Sequence, residues 1–120
     1  MSTSEEIDMA ITAHASWKQK LRHAIDTGEC GSTPEKVKMD NNCAFGKWLH
    51  ERIEPSAKTS DYYTKTVSLH AEFHKHAGHI LELALAGNKT EATGLMGLDS
   101  GFTKNSGQLT RILKEWQTTL

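Results

Sequence analysis

The spacing of apolar residues is the feature that most constrains the fold of this 120-residue chain. In each long segment they recur every three or four positions, and no useful length alternates with the period of two typical of a β-strand. The first such segment covers residues 4–27, and Gly28 follows as a helix stop. It predicts a helix whose buried stripe is Ile7, Ile11, His14, Trp17 or Lys18, Leu21 and Ile25.

A short helix is predicted over residues 43–53. It begins at Cys43 and ends before Glu54-Pro55, because the residue before a proline disfavours helical geometry. The three preceding polar residues supply a cap, from Asp40, Asn41 or Asn42. The connection 29–42 is polar and rich in turn formers, and Thr33-Pro34 can open one helical turn within it.

A third helix is predicted over residues 60–86, with Gly87 as its stop. Its buried stripe is close to a heptad seam. The stripe consists of Val67, His70, His74, Ala77, Leu81 and Ala84 or Leu85.

The C-terminal segment predicts a fourth helix, for which Asn88 and Glu91 resemble a capping box. Its stripe is Leu95, Leu98, Phe102, Asn105, Leu109, Ile112 or Leu113, Trp116 and Leu120. Four glycines within it each weaken a helix by about 1 kcal/mol relative to alanine, so a kink or bulge is expected among them. They are Gly94, Gly97, Gly101 and Gly107.

These segments predict an all-α fold, an antiparallel four-helix bundle with three long helices and one short helix. We expect a single domain over residues 1–120, since a chain of this length buries roughly two-thirds of its unfolded surface in one core. No internal repeat or low-complexity tract divides it.

Charge and hydropathy exclude two classes of partner. The 14 basic and 15 acidic residues give a net charge of -1, whereas a nucleic-acid-binding protein normally carries a basic excess. No apolar run approaches the roughly 20 residues that span a bilayer, and the start MSTSEEID is no signal peptide. We therefore expect a cytoplasmic protein that binds neither nucleic acid nor membrane.

Seven histidines and two cysteines stand out in the composition. His70 and His74 are four residues apart, so both imidazoles project from one helix face, one turn apart. They also occupy the apolar stripe, where an unpartnered imidazole costs free energy. His14 lies on the inner stripe of the first helix, where, taken alone, it is better explained as a hydrogen-bonded core residue than as a metal ligand.

Cys43 opens the short helix, and a helix N-terminus favours the thiolate that binds metals. A small buried thiol is the ordinary alternative. Three imidazoles and one thiolate would fill a tetrahedral zinc shell, so we take His14, Cys43, His70 and His74 as candidate ligands. Cys30 is interpreted as an incidental surface thiol, because isolated cysteines in a cytosolic chain rarely form bridges.

The other histidines serve as an internal comparison. His23 and His79 lie about 180° around their helices from His14 and His70, and His76 lies about 240° from His70. All three are predicted to face solvent. His50 follows Cys43 by seven residues; it is interpreted as an exposed helix-end residue, with a role beside the metal or as an alternative ligand left open.

Three motifs in order carry a resemblance to a known family. They are His14 with Trp17-Lys18, the segment CAFGKWL at 43–49, and the segment HAEFH at 70–74. Together they resemble the chemoreceptor zinc-binding domain family of bacteria over essentially the whole chain. The family's one cysteine and three histidines fall on Cys43, His14, His70 and His74.

The resemblance implies a cytosolic homodimeric helical bundle that binds Zn²⁺ and regulates an output module, either a chemoreceptor or a diguanylate cyclase. It also implies a role in sensing zinc or hypochlorous acid through the zinc-bound cysteine. No receptor coiled coil or cyclase is recognised in the chain. How a signal leaves it, and whether it is a stand-alone protein or a piece, are open.

Three other functions are compatible with parts of the sequence. A zinc hydrolase is disfavoured because Glu72 lies about 200° from His70 and four protein ligands leave no open position, so no enzymatic activity is expected. A di-iron carboxylate bundle needs several inward carboxylates, whereas these stripes carry histidine and cysteine. A structural zinc-binding dimerisation or interaction module without a sensing role is the main alternative.

Overall fold

The computed structural model describes residues 3–39 and 43–120. Within these residues the chain is helical and contains no strand, which confirms the all-α prediction. We number the α-helices in chain order. They are α1 (Thr3–Thr27), α2 (Pro34–Lys38), α3 (Ala44–Lys47), α4 (Asp61–Leu85), α5 (Lys89–Gly94) and α6 (Gly101–Thr118).

The two longest helices match their predictions. α1 and α4 each have 25 residues, and their predicted stripes are largely buried, although Leu85 remains 37% exposed. Gly28 and Gly87 follow them with φ of 74° and 83°, the left-handed geometry that glycine adopts without steric cost. The predicted turn at Thr33-Pro34 is also present, since the Thr33 side chain caps α2.

The short helix is more complex than predicted. α3 has only four residues and continues into a π-helical turn, Trp48–Arg52, in which the Ile53 amide donates to the Trp48 carbonyl at 2.8 Å. A π turn closes five residues apart instead of four. This spacing accompanies burial of both Trp48 and Ile53, 6% and 5% exposed.

The cap of α3 also differs from the prediction. Cys43 itself occupies the N-cap position and accepts a hydrogen bond from the Gly46 amide. The predicted caps Asp40, Asn41 and Asn42 lie outside the described residues.

The predicted fourth helix is broken. α5 ends at Gly94, turns occupy residues 95–100, and α6 begins where Ser100 accepts a hydrogen bond from the Thr103 amide at 3.2 Å. Of the four glycines predicted to weaken the helix, Gly94 ends α5, Gly97 lies in the turns and Gly101 begins α6. Gly107 lies within α6 and does not interrupt it. Three predicted stripe positions are exposed as a consequence of the break and of the chain end; they are Leu95, Leu98 and Leu120.

The capping-box prediction for α5 is wrong, because the Asn88 side chain makes no cap hydrogen bond.

α4 is the central helix of the fold and packs against α1, α2 and α6. Its buried side chains meet those of α1 and α6 in one core, where the ring centroids of Phe73 and Phe102 are 5.4 Å apart. These contacts are compatible with an antiparallel four-helix bundle, which stays a prediction. None of the helices in the described ranges is long and apolar enough to cross a membrane.

Candidate metal centre

The fold brings the four candidate ligands together from three separate segments. His14 lies on α1, Cys43 caps α3, and His70 and His74 lie on successive turns of α4. One potential ligand atom from each lies within 4.8 Å of the others. The three histidines are at most 6% exposed, and Cys43 is half-buried.

Two separations between candidate ligand atoms are close to those of a tetrahedral zinc site. His70 Nε2 lies 3.1 Å from His74 Nε2 and 3.3 Å from Cys43 Sγ. Zinc bonds of about 2.0–2.1 Å to nitrogen and about 2.3 Å to sulfur give tetrahedral edges of roughly 3.3 and 3.6 Å. A few tenths of an ångström of outward movement at these atoms would therefore accommodate the ion.

Backbone carbonyls fix the orientation of two imidazoles. His14 Nδ1 donates to the Ala10 carbonyl at 2.7 Å, and His74 Nδ1 donates to the Val37 carbonyl at 2.8 Å. A carbonyl only accepts, so each Nδ1 carries the proton and each Nε2 keeps a lone pair. These are the hydrogen bonds that commonly orient metal-ligating histidines.

Two imidazole nitrogens in this group lack a partner among the described residues. His14 Nε2 and His70 Nδ1 are buried without a hydrogen bond, an arrangement that costs free energy unless another group satisfies it. A metal ion would satisfy His14 Nε2. This orphaned lone pair fits a ligand set in which every histidine uses Nε2.

Burial also keeps the imidazoles in the form that binds metals. Desolvation lowers the pKa of His14 to about 4, partly opposed by its bond to Ala10. Desolvation, reinforced by repulsion from His74, lowers the pKa of His70 to about 2. Both are therefore neutral near pH 7, with lone pairs available.

Cys43 is held by α3 and bordered by aromatic rings. The Gly46 amide donates to Cys43 Sγ at 3.3 Å, a bond that stabilises negative charge on sulfur. The neighbouring Phe45 ring stacks on the Trp48 ring, with their centroids 5.6 Å apart. It also meets the His70 ring edge-on, with a centroid separation of 5.3 Å. The apolar wall shields one side of the donor group from water.

The remaining histidines stay outside the group. His23 and His79 are exposed, as predicted, whereas His76 is half-buried and lies beside Gly101, so its predicted exposure is only partly confirmed. His50 is exposed, in agreement with its interpretation as a helix-end residue. It is still close enough for its charge to contribute to lowering the pKa of His70.

Glu72, the only carboxylate between the paired histidines, points away from them. Its Oε2 accepts a hydrogen bond from Asn105 Nδ2 on α6 at 3.3 Å. The predicted direction of this side chain is therefore confirmed. It is not positioned to act as a general base at the donor group, since such a base must reach the reacting proton directly or through one water.

Sequence reasoning missed the carbonyls of Ala10 and Val37, because backbone acceptors leave no residue-type signature. The one available signal was Val37 itself, an apolar residue in the polar connection 29–42. It is 4% exposed and packs into the core.

Comparison with models of known protein families gives one match that includes the candidate ligands. The model of the chemoreceptor zinc-binding domain matches residues 14–81, more than half of the chain, and this range includes all four candidate ligands. The chain belongs to this family. No curated protein and no solved structure gave a significant match.

Acid is expected to destabilise this zinc-binding domain in its metal-free form. The ordinary pKa of 6.5 applies to His14 and His70 in the unfolded chain, and both values are lowered on folding. Their contribution to stability is thus complete above pH 6.5 and is lost as the pH falls through the folded values. Urea unfolding should show a falling free energy of unfolding between pH 6.5 and about 4. An unchanged value across this range, in the wild type and in His79→Ala alike, would contradict the prediction.

Proposed function

We propose that this domain binds one zinc ion through His14, Cys43, His70 and His74 and acts as a regulatory domain in bacterial signal transduction. The observation that carries the proposal is the convergence of four donor atoms within 4.8 Å. Family membership supports it independently.

The donor set suits zinc better than harder cations. Imidazole and thiolate are borderline-soft ligands, whereas magnesium and calcium take oxygen ligands. A bound zinc ion would supply +2 charge, which one thiolate reduces to +1 in a site that is otherwise apolar. Four protein donors leave no open position for a substrate, so the site is regulatory or structural and not catalytic.

Cys43 is the residue through which the domain would sense an oxidant such as hypochlorous acid. Cavities of about 420 and 100 Å³ both reach this residue, and the thiolate is the nucleophilic form of cysteine. In the net step the Cys43 thiolate sulfur gives an electron pair to the oxidant. An S–O bond forms, the O–Cl bond breaks, and chloride leaves, so that the thiolate becomes sulfenic acid.

Contacts of α3 offer a route by which this change would reach the rest of the fold. Cys43 caps α3. In the following turn the ring centroid of Trp48 lies 6.4 Å from that of Trp116 on α6. Loss of the sulfur as a ligand would free the start of α3, and this segment is the two-state element we propose. A homodimer, a chemoreceptor or diguanylate cyclase partner and a cytoplasmic location complete the proposal, on the strength of the family resemblance.

Cobalt substitution tests the proposed ligand set. Co²⁺ added to metal-free protein should give the intense visible absorption of a tetrahedral site, together with a sulfur-to-cobalt charge-transfer band in the near ultraviolet. Cys43→Ser should abolish the charge-transfer band, whereas Cys30→Ser is the matched control and should retain it. A band that persists in Cys43→Ser, or one that depends on Cys30, would contradict the proposed ligands.

A further inference from the structure

The short helix α2 lies directly on one glycine of α4. A methyl group at Gly78 would lie 3.2 Å from both the Lys38 nitrogen and the Pro34 carbonyl oxygen and would overlap Lys38 Cγ. Contacts this short are rare for real side chains, so the approach of the two backbones depends on the absence of a side chain at this position. Gly78 is buried and helical, with no positive φ to explain its presence.

α2 is too short to be stable on its own. A helix of five residues cannot recover the cost of nucleation, so it depends on tertiary contacts. These contacts include the buried Val37 side chain, the close approach of α2 to Gly78, and an ion pair between Lys38 Nζ and Glu82 Oε2 at 2.6 Å. The ion pair is 43% and 55% exposed and contributes little. Val37 and Gly78 therefore contribute more to the docking of α2 than this ion pair does.

The docked helix reaches the donor group through its C-terminal turn, where carbonyls lack partners within the helix. The Val37 carbonyl accepts the His74 Nδ1 proton at 2.8 Å. His74 and Gly78 are four residues apart and so lie on the same face of α4, one turn from each other. Gly78, on which α2 packs, and His74, which α2 contacts through the Val37 carbonyl, are thus adjacent on α4.

We propose that Gly78 is a positioning residue for the zinc site: it seats α2 so that the Val37 carbonyl holds His74 with Nε2 directed at the metal. This inference rests on the proposed zinc-binding function. A side chain at position 78 would lift α2, lengthen or break the bond to His74, and free the imidazole to rotate. Partners of this kind typically contribute 10- to 100-fold to metal affinity.

Gly78→Ala is the direct test. Competition with a chromogenic chelator should show zinc affinity reduced by about 10- to 100-fold. Long-range ¹H–¹⁵N spectra should show the His74 Nδ1 proton exchanging faster with solvent than in the wild type. The His14 Nδ1 proton should be unaffected, because its acceptor, Ala10, lies on the same helix.

Two further variants separate this role from general destabilisation. Gly107→Ala is the matched control, since a methyl group there meets nothing within 4 Å, and it should bind zinc like the wild type. Lys38→Ala removes the overlapping Cγ; alone it should change affinity little, and combined with Gly78→Ala it should recover part of the loss. Wild-type affinity and wild-type exchange of the His74 proton in Gly78→Ala would overturn the proposal.

The metal-free wild type gives a second measurement that requires no variant. Opening of α2 should expose the His74 Nδ1 proton together with the Val37 amide, which donates to the Thr33 carbonyl at 3.0 Å. After each observed rate is corrected for the intrinsic exchange rate of its own group, the two protons should therefore give the same free energy of opening. A much lower opening free energy for the His74 proton than for the Val37 amide would overturn the proposal. Because this comparison needs no zinc, it distinguishes failure of the positioning role from failure of zinc binding.

Discussion

Replacing His70 with alanine is expected to weaken zinc binding by at least about 100-fold. His70 Nε2 is the central donor, 3.1 Å from His74 Nε2 and 3.3 Å from Cys43 Sγ. Structural zinc sites bind with roughly 10–16 kcal/mol. An equal share for one of four ligands is thus about 2.5–4 kcal/mol, or a factor of roughly 100 to 1,000. Chelator competition against the wild type measures the change.

His79→Ala is the matched control for this variant. His79 is an exposed histidine on the same helix, and its loss should leave zinc affinity unchanged. Equal weakening in the two variants would show that the effect comes from α4 in general. An affinity preserved in His70→Ala would remove this residue from the ligand set.

Stoichiometric hypochlorous acid is expected to release the bound zinc through oxidation of Cys43. The electron pair that binds the metal is the pair that the oxidant consumes, so sulfenic acid formation weakens one of four ligand bonds. A colorimetric zinc indicator should report release of about one equivalent per chain, as expected for a single four-ligand site. Thiol reductant should restore binding, since sulfenic acid is reversible.

Two controls identify the oxidised atom. Cys30→Ser should release zinc as the wild type does, and mass spectrometry should locate the added oxygen on Cys43. The exposed Met9 and Met39 are competing targets. Zinc release with oxidation at the methionines alone would contradict the role of Cys43. Retention of zinc after Cys43 oxidation would leave a structural zinc module without this sensing route.

Residue spacing predicted the two longest helices and the inward position of the three candidate histidines. The full set of four candidate ligands rested on the family resemblance as well as on spacing. The stripe on α4 places His70 and His74 inward at the same positions as apolar side chains, and His14 occupies the equivalent place on α1. A buried imidazole requires a partner, so inward histidines on neighbouring helices favour a shared one. The same reasoning left His23 and His79 outside, where the structure has them exposed.

Features that depend on backbone geometry could not be predicted in this way. The π turn after α3 accompanies the choice of which apolar residues the core accepts. The glycines near residues 94–101 predicted a kink or bulge but not the complete break between α5 and α6. Leu98 fits the helical period as well as Leu109 does, yet it is 90% exposed and Leu109 is buried. The Val37 carbonyl and the seat at Gly78 arise from packing of α2 on α4, which no local pattern encodes.

The central claim is that these four residues hold zinc, and metal content is its most direct test. Plasma mass spectrometry should be applied to protein purified without an affinity tag, in the wild type, Cys43→Ala and His74→Ala. The account predicts about one zinc per wild-type chain, as for a single four-ligand site, and little or none in either variant. Absence of zinc from the wild type, or zinc indifferent to both substitutions, would contradict it.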